Sequence, residues 1–221
     1  MKEIKPIIII SRYNEDVNWI KEYTENYIIY NKGEYLNNFN EKIVPNIGGN
    51  QRDLFQFVFE NYDDLPDYMI FVQGFPFDHC NKEKFNRVMY NNFFTPLESY
   101  KDAPRNDWNN LDIEDDYGYM EINNSWYIDA NNKTQNLTCR YESFDHFMNS
   151  IFKNYQHLDW LRFAPGSQYL ITKEQCLKYS KKFWDHLMNE LNINKSSEAH
   201  IIERAMIYIL TKKYEEQDYL K

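Results

Sequence analysis

Glycine, proline and cysteine are all scarce in this sequence of 221 residues, which contains 6, 7 and 3 of them, respectively. So little glycine and proline excludes collagen-like and linker-rich chains. The three cysteines, Cys80, Cys139 and Cys176, are widely spaced and form no CxxC pair, so neither a disulfide framework nor a zinc site is indicated. We therefore expect a reducing compartment, with the cytoplasm as the default location.

The sequence also lacks a positive net charge and a long apolar run. A formal net charge of -9 argues against nucleic-acid or anionic-membrane partners, because these are held by neutralising phosphates with lysine and arginine. Any phosphate group that the protein binds must therefore be held by local contacts, because the net charge of the chain does not attract it. The apolar run over residues 6–10 is too short for a signal peptide core or a membrane span, so we predict no transmembrane segment.

Apolar and aromatic side chains are abundant, at 43% and 18% of the residues. A chain of this length and composition can bury one sizeable core. No internal repeat and no proline- or glycine-rich linker divides it. We therefore predict a single domain over residues 1–221.

Strand and helix signals alternate through the first third of the sequence. Short β-branched and aromatic runs predict buried strands over residues 7–10, 27–30, 42–47 and 68–72. Helical spacing of apolar residues predicts a helix over 15–23 and a second one that begins at Asn50 as its N-cap and ends near residue 62. This alternation indicates an α/β fold with a mostly parallel central sheet flanked by helices.

The rest of the sequence divides into a polar middle and a more regular end. Residues 81–136 are rich in asparagine, aspartate and aromatic residues without periodicity, which predicts a long functional or mobile loop. Periodicity returns with helices predicted over 144–152, 173–191 and 197–213, and with a strand over 167–172. The domain thus has three parts, residues 1–80, a loop-rich segment 81–143, and residues 144–221.

Polar or basic residues follow each strand predicted in the first third. Ligands of open α/β sheets bind beyond the carboxyl ends of the strands, so these residues are expected to line one crevice. Two or three cations and a helix N-terminus there would suit a phosphate-bearing ligand. Singly, each cluster is also an ordinary strand-end turn. Prominent among these residues are Arg12, Tyr13, Asn31, Lys32, Arg52 and Gln73.

Gly74 stands directly after the fourth predicted strand, in a chain with little glycine. We expect it to let the backbone turn sharply, with Pro76 stiffening the turn, so that Asp78 and His79 are aimed into the crevice. A carboxylate at this place could hold a divalent cation, which would neutralise a diphosphate leaving group. The alternative is that Asp78 caps a helix beginning at Asn81 and that His79 is a surface residue.

Six blocks of the sequence carry a resemblance to a known family: SRYNEDVNWI, YNKG, VPNIGGNQRD, ENYDDLPDYMIFVQGFPFDH, FAPGSQYLITKE and AHIIERA. In order and spacing they resemble glycosyltransferase-like proteins of bacteria, fungi and large DNA viruses. The characterised relatives are similar to the small GT-A-fold sugar transferase domain of an alga-infecting virus, which uses a nucleotide diphosphate sugar and a divalent metal. The resemblance leaves out residues 82–145. It implies a single GT-A-like domain with a nucleotide-binding half (1–80) and an acceptor-side half (144–221).

The resemblance also implies roles for individual residues. Asp78 falls where GT-A enzymes have their DxD metal motif, although the segment here reads FPFDH, and the implied cofactor is Mn²⁺ or Mg²⁺. The acidic run Glu114–Asp116 is an alternative metal motif. Near the nucleotide, the resemblance places Arg12, Tyr13 and Glu15 at the first strand, Asn31 and Lys32 beside the base or ribose, and Arg52 beside the diphosphate.

On the acceptor side, the block FAPGSQY resembles the entry to a strand that contacts the sugar. Gly166 would permit close approach of the sugar, and Gln168 would hydrogen-bond its hydroxyl groups. Arg162 could face a phosphate or carboxylate. Nearby aromatic residues suit sugar stacking, although most aromatic residues of this chain must be in the core. These are Trp108, Trp126, Tyr127 and Trp160.

Two acids on the last predicted helix are candidates for a general base. Glu203 falls at the margin of the apolar face, where desolvation would raise its pKa toward that of a base. Glu198 lies at the start of the helix, and the two acids diverge by about 140° around its axis, so they are not expected to act on one atom. The alternatives are a structural salt bridge for Glu203 and a first-turn acid for Glu198.

These observations predict a glycosyltransferase that moves a sugar from a nucleotide diphosphate sugar, such as a UDP-sugar, to a hydroxyl of a glycan or other acceptor. An inverting mechanism with a carboxylate base is the working hypothesis. The alternative is a non-catalytic nucleotide-sugar or glycan-binding protein with the same fold. A third hypothesis is a metal-dependent hydrolase that uses Asp78, His79 and His146, although the sequence contains no HExxH-type spacing. If the protein is viral, its cytoplasmic location is that of the host cell.

Overall fold

The computed structural model describes residues 6–97, 119–123, 140–192 and 198–218 of the chain. These residues include strands β1 (Ile7–Arg12), β2 (Tyr27–Asn31), β3 (Glu41–Ile43), β4 (Tyr68–Gln73), β5 (Thr95–Pro96), β6 (Tyr119–Ile122), β7 (Trp160–Phe163) and β8 (Tyr169–Thr172). They also include helices α1 (Gly49–Glu60), α2 (Lys82–Val88), α3 (Phe144–Ile151), α4 (Lys173–Cys176), α5 (Lys181–Glu190) and α6 (Glu198–Thr211). Short 3-10 helices occupy Asn18–Glu22, Tyr62–Asp64, Pro76–Asp78 and Pro165–Ser167.

Six of these strands form one central sheet in the order β3-β2-β1-β4-β8-β5. β1 pairs in parallel with β2 and with β4, and β2 pairs in parallel with β3. β8 pairs antiparallel with both β4 and β5, and β6 and β7 make a separate antiparallel pair. The predicted α/β class and mostly parallel sheet are therefore confirmed, while the antiparallel side was not foreseen.

Helices and loops cover both faces of the sheet, which explains why its central strands are uninterrupted apolar runs. Alternate residues of β1 enter different cores, with Ile9 on one side and Ile8 and Ile10 on the other. The first core contains α1, α3, α5 and α6, and the second contains Trp19 and Phe85. Both cores use side chains from the same strands, so the described residues fold as one domain.

Three predicted helices differ from the structure. The helix expected over 15–23 is only the 3-10 helix Asn18–Glu22. The N-cap of α1 is Gly48 rather than Asn50, so Asn50 lies in the first turn. The single helix expected over 173–191 is divided into α4 and α5, because the hydroxyl of Ser180 accepts a hydrogen bond from the Phe183 amide and starts a new helix.

Part of the predicted loop-rich segment is regular. α2, β5 and β6 lie between residues 81 and 143, and Asn81 caps α2 by accepting a hydrogen bond from the Lys84 amide. The hypothesis that Asp78 caps this helix is therefore wrong. The acidic run Glu114–Asp116 and the aromatic residues Trp108, Trp126 and Tyr127 lie outside the described residues.

None of the described helices is both long enough and apolar enough to cross a bilayer. The longest apolar elements are instead core components of the α/β domain, among them α6, most of whose side chains are buried.

Candidate functional site

The carboxyl ends of β1 and β2 contact the start of α1, and the crevice expected from the sequence would lie here, beside the end of β4. The chain proceeds from β1 outward to β2 and β3, and then returns to the other side of β1 with β4. The chain segments that follow β1 and β4 therefore run to opposite sides of the β1–β4 boundary. Such a switch point leaves a gap between the connecting segments, and ligands of open α/β sheets bind there.

A buried charged cluster forms the floor of this crevice. The Lys32 ammonium lies 2.7 Å from Asp53 Oδ2, and the Ser11 hydroxyl donates a 2.5 Å hydrogen bond to the same oxygen. Lys32 Nζ lies 3.3 Å from Ser11 Oγ and donates to the carbonyl of Gly49. The cluster therefore joins the ends of β1 and β2 to the first turns of α1.

Asp53 has an incomplete set of hydrogen bonds. Its Oδ1 is buried and has no hydrogen-bond partner among the described residues, although most buried polar atoms in proteins have one. Burial raises the pKa of the Asp53 carboxyl above its usual value, while Lys32 and Ser11 lower it and offset part of that effect. Asp53 thus combines an ion pair with an unused acceptor atom beneath the crevice.

Arg12 and Asn31 are buried and hold the loops of the crevice together. Arg12 Nη1 donates to Asn31 Oδ1 at 2.7 Å and to the Glu34 carbonyl at 3.0 Å, and its Nε donates to the Glu15 carbonyl at 2.9 Å. Asn31 Nδ2 donates to Glu41 Oε2 at 2.6 Å. These contacts are all within the protein, so the two residues shape the site by positioning its loops.

Gly33 and Gly74 allow the loops after β1, β2 and β4 to pack closely. A Cβ at Gly33 would lie 1.6 Å from the Tyr13 carbonyl oxygen. A Cβ at Gly74 would lie 2.5 Å from Glu15 Oε2, while the φ angle of Gly74 is outside the left-handed region. The backbone bends at Gly74 directly after β4, as expected, and the absence of a side chain there also leaves space for Glu15.

Arg52 points away from the buried cluster, although it is on the same helix as Asp53. Its Nε donates to Asn192 Oδ1 at 2.9 Å, and its Nη1 donates to Gln56 Oε1 at 2.9 Å. Arg52 therefore links α1 to the residue just beyond α5. Of the basic residues Arg12, Lys32 and Arg52 expected around the crevice, Lys32 alone is in the buried cluster.

A tight turn before β8 contacts both the first turn of α1 and the end of β4. Gly166 and Ser167 both have positive φ angles, of 83° and 50°, which for a serine costs roughly 1–3 kcal/mol. The Gly166 carbonyl accepts hydrogen bonds from Asn50 Nδ2 at 2.9 Å and Gln73 Nε2 at 3.0 Å. Gln51 Nε2 donates to Ser167 Oγ at 2.7 Å. The turn is thus fixed to both α1 and β4.

Two further predicted residues meet at this turn. The Glu203 carboxylate accepts a 2.9 Å hydrogen bond from the Gly166 amide and lies 3.3 Å from Arg204 Nη1. Gln168 is fully buried and accepts from the Gln73 amide at 3.1 Å, and its Nε2 has no partner among the described residues. Glu203, Gly166, Gln168 and Gln73 therefore form one polar group at the turn before β8.

Glu198 lies in a different environment from Glu203. Its side chain is fully buried, and Oε1 accepts from the Arg140 amide at 2.9 Å and lies 3.3 Å from Arg140 Nε. Arg140 also contacts Glu190, with Nη2 3.0 Å from its Oε2. We therefore assign Glu198 a structural role in joining α5 and α6 to the segment before α3.

The metal prediction rests on Asp78 alone within the described residues. Asp78 is exposed in the 3-10 helix after β4, and the described ranges contain no group of three acidic, histidine or cysteine side chains that could hold a metal ion. His146 lies on α3, where its ring contacts the Glu142 amide. One carboxylate fits Mg²⁺ or Mn²⁺ only when phosphates and water supply most of the ligands.

Exposed aromatic residues flank the mouth of the crevice. Tyr13 and Phe75 are 51% and 41% exposed, and each stands two residues beyond the paired positions Ser11 and Gln73 of β1 and β4. From the sequence, a role in the site was expected for Tyr13, whereas Phe75, Ser11 and Asp53 belonged to the strand-end clusters without a role of their own. Their position in the sequence could have indicated them, because all three lie at a strand end or in the first turns of the following helix. Arg162 and Trp160 are on β7, where Arg162 is buried and Trp160 is half exposed.

Comparison with protein families matches residues 7–218 to the family described as protein of unknown function DUF3431. The chain therefore belongs to this family. Comparison with curated proteins and with solved structures finds no matching protein. The matched range includes the buried cluster, the turn before β8 and Glu203, so the whole crevice is part of the family's domain.

Proposed function

We propose that this member of the family binds a nucleotide diphosphate sugar in the crevice and transfers the sugar to an acceptor hydroxyl. The observation that carries the proposal is the Lys32–Asp53–Ser11 cluster at the switch point, next to the N-terminus of α1. A cation and a helix N-terminus at one place suit a diphosphate, even in a chain of net charge -9.

The start of α1 supports this placement of the diphosphate. Gly48 and Gly49 have positive φ angles of 69° and 64°, and Gly49 is exposed at the start of the helix. Gly48, as the N-cap, offers no side-chain acceptor to the first-turn amides, which suits phosphate oxygens as their acceptors. In the proposal, the Lys32 charge and these amides stabilise the departing nucleoside diphosphate.

The polar group at the turn before β8 supports a sugar and acceptor site. Glu203 takes the proton of the acceptor hydroxyl, the oxygen forms the new bond to the anomeric carbon, and the bond to the diphosphate breaks with its electrons going to the leaving group. The hydrogen bond from Gly166 orients the carboxylate for this step. A GT-A-like fold is part of the proposal, and the mostly parallel sheet agrees with it.

Asp78 is the residue that would hold a divalent cation brought by the diphosphate. Such a cation would neutralise charge on the leaving group. A non-catalytic binding protein is the second candidate function, favoured by the exposure of Asp78 and by the absence of a three-residue metal group among the described residues.

A thermal-shift screen with UDP-, GDP- and dTDP-sugars, with and without manganese, tests the proposal. A ligand that binds only the folded protein raises its melting temperature by mass action. We expect one nucleotide class to stabilise the protein and its sugar to be released or transferred in the same samples. Stabilisation without turnover in the presence of candidate acceptors would support the binding protein, and no stabilisation by any donor would contradict both functions.

A further inference from the structure

A second cavity lies at the opposite end of the sheet from the crevice. It has a volume of about 800 Å³ and is bordered by Tyr68, the first residue of β4, and Thr172, its register partner at the end of β8. A narrower cavity of about 280 Å³, lined by Phe93 and Phe94, adjoins it and shares Thr172. Along β4 these cavities are roughly 17 Å from the crevice.

Three lysines line the larger cavity: Lys173, Lys178 and Lys213. None of them has a carboxylate within ion-pair distance in the part of the chain that the structure describes, whereas most other described lysines do. Asp67 and Glu174 also line the cavity, which leaves one excess positive charge. Unpaired like charges around a cavity repel each other, so an anion there would be stabilised.

Lys178 connects the two cavities, because it lines both. Its ammonium group donates a 2.8 Å hydrogen bond to the Leu210 carbonyl, and this contact fixes its position. Burial lowers the pKa of Lys178, with a smaller opposing effect of Glu174. A partly desolvated lysine is also more reactive as an amine than an exposed one.

We propose that these joined cavities bind a small phosphorylated compound. The lysines hold its phosphate in the larger cavity, and its uncharged part enters the narrower cavity against Phe93 and Phe94. Asn92, at the border of both cavities, supplies hydrogen-bonding groups for the remainder of the ligand. This site is separate from the crevice and does not depend on the proposed function.

Labelling with pyridoxal 5′-phosphate tests the proposal, since this probe combines a phosphate with an aldehyde. The amine of Lys178 attacks the aldehyde carbon, water leaves, and added borohydride delivers a hydride to the imine carbon to give a stable secondary amine. We expect peptide mass spectrometry at substoichiometric probe to find Lys178 labelled at least several-fold more than Lys182. Excess inorganic pyrophosphate should suppress this labelling.

The control is Lys182→Met, which removes an exposed lysine that lines neither cavity. Lys178→Met should abolish the preferred label, and Lys182→Met should leave it intact. Equal labelling of Lys178 and Lys182 would overturn the proposal, as would labelling of Lys178 that pyrophosphate does not suppress. The pyrophosphate competition uses the wild-type protein, so the folding of a variant does not decide the result.

Discussion

Asp53→Asn tests most sharply whether the floor of the crevice is a desolvated ion pair. The substitution keeps the shape of the side chain but leaves the ammonium of Lys32, whose side chain is 5% exposed, without its counter-ion. Removing one partner of a buried pair typically costs about 3–5 kcal/mol. For a domain of this size that corresponds to a fall in melting temperature of roughly 6–20 °C.

Urea unfolding followed by circular dichroism measures this change, with Asp63→Asn as the matched control. Asp63 forms an ion pair of 3.0 Å with Lys181, but both side chains are well exposed, so its loss should cost less than about 1 kcal/mol. A Lys32→Met background completes the cycle, in which Asp53→Asn should cost less by roughly 0.5–3 kcal/mol. Equal costs for Asp53→Asn and Asp63→Asn, or the same cost in both backgrounds, would refute the reasoning.

Three further predictions concern the acids and a histidine. In steady-state assays, Glu203→Gln should lower transfer by roughly 10²–10⁴-fold while donor binding is retained. In calorimetry, Glu198→Gln should lower the melting temperature, because it weakens the contact with Arg140. The opposite pattern would make Glu198 the base. Asp78→Ala should abolish manganese-dependent stabilisation by the donor without unfolding the protein, and unchanged stabilisation would remove Asp78 from the metal site. Asp145 raises the pKa of the His157 imidazole above its usual value of 6.5. The ion pair of protonated His157 with Asp145 therefore stabilises the folded protein fully below pH 6.5, and this stabilisation is lost as the pH rises through the raised pKa. Urea titrations across this range should show the loss in the wild type and not in His157→Gln.

The central strands were predictable because their signal is local. A β-branched run such as Ile7–Ile10 has to be covered on both faces, and the alternation of strands and helices up to Gln73 has few solutions other than a parallel sheet. The antiparallel side of the sheet depends on pairing between β4 and β8, which are far apart in the sequence. No local pattern specifies such a pairing.

The residues of the site were foreseen by type and place, while their partners were not. The strand-end rule brought Lys32 and Gln73 to one crevice, and the resemblance added Gly166; the structure places Gln73 in contact with Gly166 and Lys32 at the end of β2. The rule cannot say which way a side chain points, so it grouped Arg12 and Arg52 with Lys32, although both have partners elsewhere. Those contacts involve residues 19 and 140 positions away in sequence.

The helix ends show the same division between local and distant causes. Asn50 has the residue type of an N-cap, but its side chain instead bonds the Gly166 carbonyl, which is 116 residues away. Gly48, whose φ angle is positive, takes the cap position without a side-chain hydrogen bond. The distant contact with Gly166 is one that a local capping rule does not consider.

Hydrogen–deuterium exchange with the nucleotide sugar that stabilises the protein most tests the central claim directly. The proposal predicts slower exchange of backbone amides at the strand-end loop 12–15, at the start of α1 and at the turn 165–167. These segments should respond together, because they surround one crevice. Slower exchange confined to residues 173–178, at the opposite end of the sheet, or no change in any of these segments, would contradict binding of the donor at the switch point.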